Sequence, residues 1–470
     1  MAVRLTFFGG VGEIGGNKLL VEDGDTRFFI DFGVSFASET KYFSGYLCPR
    51  SVNGVGDYLE FNLLPRLKGL YSREQVESAG IRYSEPRFDG VLLSHAHMDH
   101  CGHLSFLDEN IVVHCGETAK FILDSLEETG STKFGDRRFK TFRTGDRVKV
   151  GGLKVEPIHV DHSIPGAYGF IVHTSEGAII YTGDLRLHGP MAAMTREFVE
   201  KARDAEPIAM VSEGTRVSER ERYVTHSEEE VRRMSFDVVA EAKKLVAAAF
   251  YGRDVDRFRT FYRVAVEHSR RFVIPTRLAH LLTKLKVDPK LKVPDVIKDE
   301  NILVYMKRKR TGSFDERDYY LWERPFLDKA VNFKYVKENQ SEIIFNLDLV
   351  GFAELIDVIP DAGGEFIYSR SEPFSEEDVE HEVMQHWLTH YGLKYRPIHA
   401  SGHASRSVLM KEIIAEISPK QIFPIHTEEP ELFSKLVKGE VGKVVLPQKN
   451  VCYEVSSTSV KKMKSKVHDF

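Results

Sequence analysis

Six residues constrain this chain more than any others: His95-Ala96-His97-Met98-Asp99-His100. They follow an apolar run, Gly90-Val91-Leu92-Leu93-Ser94, that predicts a buried strand ending at the first histidine. Three imidazoles and a carboxylate on the loop leaving a strand can point into one cavity. Neutral imidazole and carboxylate together suit a borderline divalent ion such as zinc. Buried His and Asp side chains without such a partner are costly, so the cluster reads as a metal site rather than a polar surface loop. It offers more ligands than one open catalytic zinc needs, which points to two ions and to hydrolysis.

The rest of the chain sets the scale. At 470 residues it predicts two or three domains, or one domain carrying a large insertion. With 42% hydrophobic and 29% charged residues it reads as soluble and globular. No apolar run approaches the ~20 residues of a membrane helix, and the N-terminus lacks a signal-peptide layout. The expectation is a cytoplasmic protein with no membrane partner. Cys48, Cys101, Cys115 and Cys452 form no C-x-x-C pair, so neither a disulfide framework nor a cysteine zinc site is signalled. A net charge of −5 argues mildly against nucleic acid as a whole-surface ligand, but allows a local basic groove.

Strand signals dominate the first 200 residues, with stretches at 3–9, 17–22, 26–33, 90–95, 111–114, 148–159 and 169–184. The last of these reads as a hairpin about Ser175-Glu176-Gly177. Helices are expected at 117–129 and 195–205. After about residue 207 the pattern becomes α/β alternation. Ser227-Glu228-Glu229-Glu230 is a capping box, followed by helices near 254–270, 278–285 and 375–391 and strands near 271–275, 302–306, 341–345 and 364–369. The tail after Ser456 is basic and reads as a solvated end. Gly10-Val11-Gly12-Glu13-Ile14-Gly15 matches G-x-G-x-x-G. A dinucleotide site needs a helix next, and Asn17 to Glu22 reads as a strand, so a glycine-shaped turn near the site is expected.

Two further segments extend the cluster. Asp161-His162-Ser163-Ile164-Pro165 supplies a later isolated histidine, and Tyr181-Thr182-Gly183-Asp184 supplies an aspartate after a strand. In this order the residues resemble the metallo-β-lactamase superfamily. Ser212-Glu213-Gly214-Thr215, then His399-Ala400-Ser401-Gly402-His403-Ala404-Ser405, then Phe423-Pro424-Ile425-His426, resemble motifs A, B and C of its β-CASP nucleases. That group contains ribonuclease J and the cleavage-and-polyadenylation endonuclease. The resemblance runs from the first strand to about residue 455. His103, His114, His159, His173 and His188 match no ligand position.

The resemblance implies an α/β fold: an αββα metallo-β-lactamase sandwich from residues 1–206 and 397–456, with an α/β β-CASP domain, 207–396, inserted into it and a basic tail at 457–470. It implies two zinc ions, with manganese as an alternative. One would be held by His95, His97 and His162, the other by Asp99, His100 and His426, with Asp184 between them. It further implies metal-assisted hydrolysis of RNA phosphodiesters, with His403 as general acid oriented by Glu213; Asp99 is alternatively an acid–base group. Histidine at motif C, His426, favours RNA over DNA in this group. A helix predicted at 408–417 would present free N–H groups at Gly402, His403, Ala404 and Ser405 to a phosphate. Ser369 and Ser371 resemble a phosphate-holding serine segment of ribonuclease J, with an ordinary strand-end turn an equal reading. Arg186, Arg216, Arg220 and Arg222 would line a basic groove, unless they form a solvated charged face with Glu219 and Glu221.

Three departures stand out: no extra C-terminal domain, no Thr-Gly-Ser-Gln-Gly-Glu-Pro-like run in the insertion, and no KH domains ahead of it. They leave open the cleavage mode, exonuclease or endonuclease, and the oligomeric state, a homodimer included. The expected partner is single-stranded RNA. The rivals are a DNA-directed nuclease of the same fold, a non-catalytic RNA-binding subunit and a small-molecule hydrolase. The long insertion and motifs A to C argue against the last.

Overall fold

The computed structural model describes residues 2–219, 225–371, 379–437 and 441–463. Three sheets organise them. The first has eight strands, in the order Val460–Lys462, Val451–Val455, Val3–Gly9, Lys18–Asp23, Thr26–Ile30, Gly90–Leu93, Val113–Gly116 and Phe139–Phe142. The second has seven: Lys443–Val444, Gln421–Ile425, Ala209–Glu213, Gly177–Tyr181, Tyr168–Thr174, Leu153–His159 and Val148–Val150. Strand alternation puts Val3, Leu5, Phe7 and Phe28 of the first sheet against Phe170, Tyr181, Val211 and Phe423 of the second, in one fully buried core. Each such side chain contributes roughly 1.5–3 kcal/mol by leaving water.

The outer face of the first sheet is covered by segments that include helices Gly56–Glu60, Arg73–Ser78 and Glu117–Glu128. That of the second carries Ala192–Asp204, the helical run from Arg406 to Ile417, and Pro430–Val437. The result is an αββα sandwich. Its sheets draw strands from both ends of the chain, since Val451–Val455 pairs with Val3–Gly9 and Gln421–Ile425 with Ala209–Glu213.

Between those ends lies a third sheet, wholly parallel, in the order Ala330–Val331, Ile302–Tyr305, Arg271–Pro275, Ile343–Asn346, Val246–Ala249, Glu365–Tyr368 and Lys394–Pro397. Its central strands, Arg271–Pro275, Ile343–Asn346 and Val246–Ala249, are apolar but for Arg271 and Asn346 at their ends, because both faces are covered. Helices Glu228–Glu241, Val255–Glu267 and Thr276–Leu285 pack on one face, and Phe333–Glu338, Leu355–Val358 and Val379–Tyr391 on the other. The capping box forms as the sequence predicts: the Ser227 hydroxyl accepts from the Glu230 N–H, and Glu230 accepts from the Ser227 N–H.

Two local expectations need revision, and a third is only partly described. The tail is not wholly loose, because Val460–Lys462 adds an edge strand to Val451–Val455; a short strand carrying Lys461 and Lys462 closes a sheet edge without inviting further pairing. Residues 464–470 lie outside the described residues. The helix predicted at 408–417 starts at Arg406, and its Leu409–Ile414 portion is π-helical. The helix predicted from Ser375 is described from Val379, Ser375 itself lying outside the described residues. No helix among the described residues is long and apolar enough to cross a membrane.

Candidate metal centre

The strand Gly90–Leu93 runs into Ser94–His97, and a single helical turn, Met98–Cys101, carries Asp99 and His100. Backbone bonds from distant segments pin that turn. The Asn17 N–H donates to the Asp99 carbonyl (3.1 Å), the Phe32 N–H to that of His100 (2.7 Å) and the Val34 N–H to that of Met98 (3.0 Å). This approach is why glycines surround it. A Cβ on Gly33 would fall 1.7 Å from the Asp99 carbonyl oxygen, and one on Gly15, at φ +81°, 2.7 Å from the Asp99 Cβ. The G-x-G-x-x-G match thus ends in a glycine that admits the metal loop, and a strand follows it.

The other ligands arrive on strand ends of the second sheet. His162 follows Leu153–His159 and Asp184 follows Gly177–Tyr181. His426 sits at φ +51° directly after Gln421–Ile425, its N–H bound to the Gly10 carbonyl. The structure brings all seven expected ligands into two groups that share Asp184. His95, His97, His162 and Asp184 form one; Asp99, His100, Asp184 and His426 form the other. Within each, the ligand atoms lie within 4.8 Å of one another.

Hydrogen bonding fixes which ring nitrogens face inward. The Gly402 carbonyl can only accept, so His162 donates from Nδ1 (2.6 Å) and leaves Nε2 as a lone pair. The Ser94 hydroxyl gives its proton to Asp31 Oδ2 (2.8 Å) and so accepts from His95 Nδ1, which frees His95 Nε2. Both free nitrogens point at His97 Nδ1, at 3.2 and 3.1 Å. One proton on His97 can satisfy only one of those contacts. Burial holds His95 and His162 well below the usual imidazole range and pushes His97 down to about 3, so a charged ring does not resolve the conflict. Three ring nitrogens converging with at most one proton among them are a donor set for a metal cation, and the residues fit one.

The second group is acidic. Asp184 Oδ2 lies 3.2 Å from His100 Nε2 and 3.7 Å from His426 Nε2, and Asp99 Oδ2 lies 3.0 Å from His426 Nε2. Burial pushes the Asp184 carboxyl up, but His426, His100 and His403 outweigh it and hold the group well below the carboxylate range. Conversely, burial lowers His100, and Asp184, Asp31 and Asp99 together raise it well above the usual value. Asp184 and Asp99 stay ionised and demand a positive charge at the ring nitrogens, which bound metal supplies as well as a proton does.

Behind the ligands sits Asp31, which the sequence reading passed over. It is fully buried at φ +57° and accepts from His100 Nδ1 (2.7 Å), the Ser94 N–H (2.7 Å), the Ser94 hydroxyl and the Tyr181 hydroxyl (2.8 Å). Its four bonds orient two ligand histidines at once. Asp31→Asn is expected to weaken metal binding ~10–100-fold, read by competition with a fluorescent chelator. An affinity within twofold of the parent would remove Asp31 from the support of the site.

His403 faces the same cavity. Its Nδ1 has no hydrogen-bond partner among the described residues and lies 3.7 Å from Glu213 Oε2 and 3.9 Å from Asp184 Oδ2. Glu213 is buried, accepts the Thr215 N–H at Oε2 (2.8 Å) and has an Oε1 without a partner among the described residues. The Thr215 hydroxyl contacts His426 Nδ1 (2.8 Å).

The expected phosphate contacts fare differently. Ser369 is buried; its hydroxyl donates to the Ile398 carbonyl and accepts from Arg257, so it is not offered to a ligand. The Ala404 N–H is taken by the Leu185 carbonyl (2.7 Å) and the His403 N–H by the Ser401 hydroxyl. The Ser405 hydroxyl caps its own helix through the Val408 N–H. Gly402 serves the site through its carbonyl, and Ser371 is exposed. Arg186 does not line a groove. It is fully buried, with Nε on Asp161, Nη1 on Glu228 and Nη2 on Asp256, each at 2.9 Å. Arg216 Nη1 donates to the Thr225 hydroxyl, while Glu221, Arg220 and Arg222 lie outside the described residues.

Comparison with known proteins adds the following. A family model for a β-lactamase superfamily domain matches residues 68–248. Ribonuclease J of Helicobacter pylori is 24% identical over 277 residues, covering 58% of this chain and 36% of that protein. Ribonuclease J of Thermus thermophilus is 25% identical over 450 residues, covering 91% of this chain and 68% of that one. The match thus spans little more than a third of the Helicobacter protein's length. A crystal structure of an Enterococcus faecalis V583 protein of unknown function shares the fold, with a TM-score of 0.75 and 24% identity over 97% of this chain and 100% of that one.

Proposed function

We propose that this chain is a metal-dependent ribonuclease of the metallo-β-lactamase superfamily, in the β-CASP ribonuclease J group, hydrolysing RNA phosphodiester bonds, a reading supported by the β-lactamase superfamily match and the ribonuclease J relatives. The β-CASP domain, expected at 207–396, is read as starting after Glu213, because strand Ala209–Glu213 pairs inside the second sheet of the sandwich, and as inserted between that sheet and 397–456. The observation that carries the proposal is the pair of ligand groups sharing Asp184, with every position filled. A non-catalytic relative would have no need to keep both.

His95, His97 and His162 would hold one zinc ion, and Asp99, His100 and His426 the other, with Asp184 serving both and manganese as the alternative metal. Such ions lower the pKa of water towards ~7 and stabilise charge on attacking and leaving oxygens. The residues of the chain do the rest. Asp31 and Gly402 fix the ring tautomers. Asp99 is the more exposed of the two ligand carboxylates, and an acid–base role for it is the alternative to tight ligation. His403 delivers a proton to the leaving oxygen, with Glu213 as the group that orients it.

His403→Ala is expected to lower RNA turnover by ~10²–10⁴-fold at unchanged metal content, and to remove the alkaline limb of the pH–rate profile. Wild-type turnover with the parent pH profile would end the general-acid role. The wider test digests matched single-stranded RNA and DNA labelled at either end, with 5′-monophosphate, triphosphate or blocked ends. Preferred RNA cleavage is expected. Mononucleotides released only from a 5′-monophosphate end identify a 5′→3′ exonuclease, internal fragments an endonuclease, and preferred DNA cleavage overturns the substrate.

A further inference from the structure

The parallel sheet has a feature that the hydrolytic site does not use. From Arg271–Pro275 the chain turns into helix Thr276–Leu285, which packs with Val255–Glu267 on one face. From the neighbouring strand Ile343–Asn346 it turns to Leu355–Val358, on the opposite face. The two connections diverge, so a crevice opens beyond the carboxyl ends of these adjacent strands. In open α/β sheets this is where ligands bind. A cavity of about 490 Å³ lies there, with walls from both connections and from helix Glu117–Glu128 of the sandwich. That volume falls in the ~300–1,000 Å³ range of small-molecule sites.

Its lining is chemically divided. At the start of helix Thr276–Leu285 no side chain among the described residues caps the free N–H groups. Arg277 on that turn and Lys307, beyond the end of Ile302–Tyr305, both line the cavity, and neither has an ion-pair partner among the described residues. Lys309 is matched by Glu323, at 2.7 and 2.8 Å. Trp322 presents a half-buried ring parallel to that of Tyr320, the planes 9° apart. Asn346, only 7% exposed at the end of its strand, donates from Nδ2 to the Ala248 carbonyl. Its Oδ1 is left without a partner among the described residues at the cavity wall. Asp348 follows, its Oδ1 accepting the Gly351 N–H.

We propose that this cavity binds a nucleoside phosphate. A helix start with two unmatched cations takes the phosphate. An aspartate beyond a strand end takes ribose hydroxyls, as in other doubly wound sheets. The Trp322 ring takes the base, and the Asn346 Oδ1 an exocyclic amine. The same chemistry is offered by a free mononucleotide and by one unit of an RNA strand. Arg253 connects the cavity to the metal loop, since it lines the cavity and its Nη1 donates to the Ala96 carbonyl between His95 and His97.

The test uses the metal-loaded full chain and its tryptophan fluorescence, titrated with AMP and, separately, with a 5′-phosphorylated hexa-adenylate bearing phosphorothioate linkages. Trp387, the second of the two tryptophans, packs against Phe352 and Tyr391 on the opposite face of the sheet. Saturable quenching is therefore expected to vanish in Trp322→Phe. Affinity is expected to fall about tenfold or more in Arg277→Glu/Lys307→Glu, by loss of two charged contacts at an unchanged melting midpoint. It is expected to persist in Asp184→Asn, which separates this cavity from the metal centre. Quenching by AMP identifies the free nucleotide as ligand, and quenching by the oligonucleotide alone identifies a strand subsite; both support the proposal. No quenching by either, or binding that survives the double substitution and is lost in Asp184→Asn, overturns it. The outcome does not depend on RNA hydrolysis, so it stands or falls separately from the proposed reaction.

Discussion

Asp184→Asn is expected to cost both metals and to lower turnover by ~10³-fold or more, about 4 kcal/mol of transition-state stabilisation. The reason is positional. Asp184 Oδ2 lies between 3.2 and 3.9 Å from ring nitrogens of five histidines: His95, His100, His162, His403 and His426. A carboxamide keeps the shape but removes the one negative charge common to both ligand groups, and its amino group points protons where lone pairs converge. His426→Ala, which touches a single group, should keep about one metal per chain. The measurements are metal content after gel filtration and turnover of a labelled RNA. If Asp184→Asn retained two metals per chain and turnover within tenfold of the parent, the shared-ligand arrangement would be wrong.

That residue was legible only through its order behind His95 to His100 and His162, which the resemblance to the superfamily supplies; alone, after Gly183, it reads as a turn residue. The helix boundaries set by Ser227 and Asp254 were readable directly, since a capping side chain acts within three residues of itself. Asp31 was not, because nothing in Ile30-Asp31-Phe32 announces a left-handed backbone or partners 63, 69 and 150 residues away. Ser369 failed for the same reason: the side chain that occupies its hydroxyl is Arg257, 112 residues earlier. Local pattern reports the residues that carry chemistry. It does not report which polar side chains the fold spends on holding its own parts together.

Arg186 is the largest instance of that second use. Beside Asp184 in sequence it reads as a surface cation, yet its guanidinium joins Asp161 of the sandwich to Glu228 and Asp256 of the segment bearing the parallel sheet. Arg257 completes the cluster by sharing Glu228 and donating to the Ala400 carbonyl. The balance is a buried one. Burial pushes Glu228 up, but Arg257 and Arg186 overcome it and bring the group down to about 2. At Asp161 and Asp256 burial wins, and both stay above the usual carboxyl value. Arg186→Met keeps the packing volume, strands Asp161 and leaves Glu228 to Arg257 and Asp256 to Arg259 alone, a loss of ~3–5 kcal/mol and about 3–5 °C in unfolding midpoint near neutral pH. Lysine should rescue little, because one ammonium cannot replace a fork that reaches three partners at once. The sign of the pH dependence follows. Without the guanidinium, Asp161 and Asp256 rise further, so the folded variant binds more protons than the unfolded chain. Its stability then falls as pH rises through the raised values. The deficit against the parent should therefore be smaller at pH 5 than at pH 8, as measured by thermal unfolding of both proteins at each pH. A midpoint within 2 °C of the parent at both would show that the cluster does not hold the two parts together. In the expected case the metal centre should loosen with it, since Asp161 adjoins His162 and the Ser401 carbonyl that Arg186 also holds adjoins Gly402, the acceptor that fixes the His162 ring.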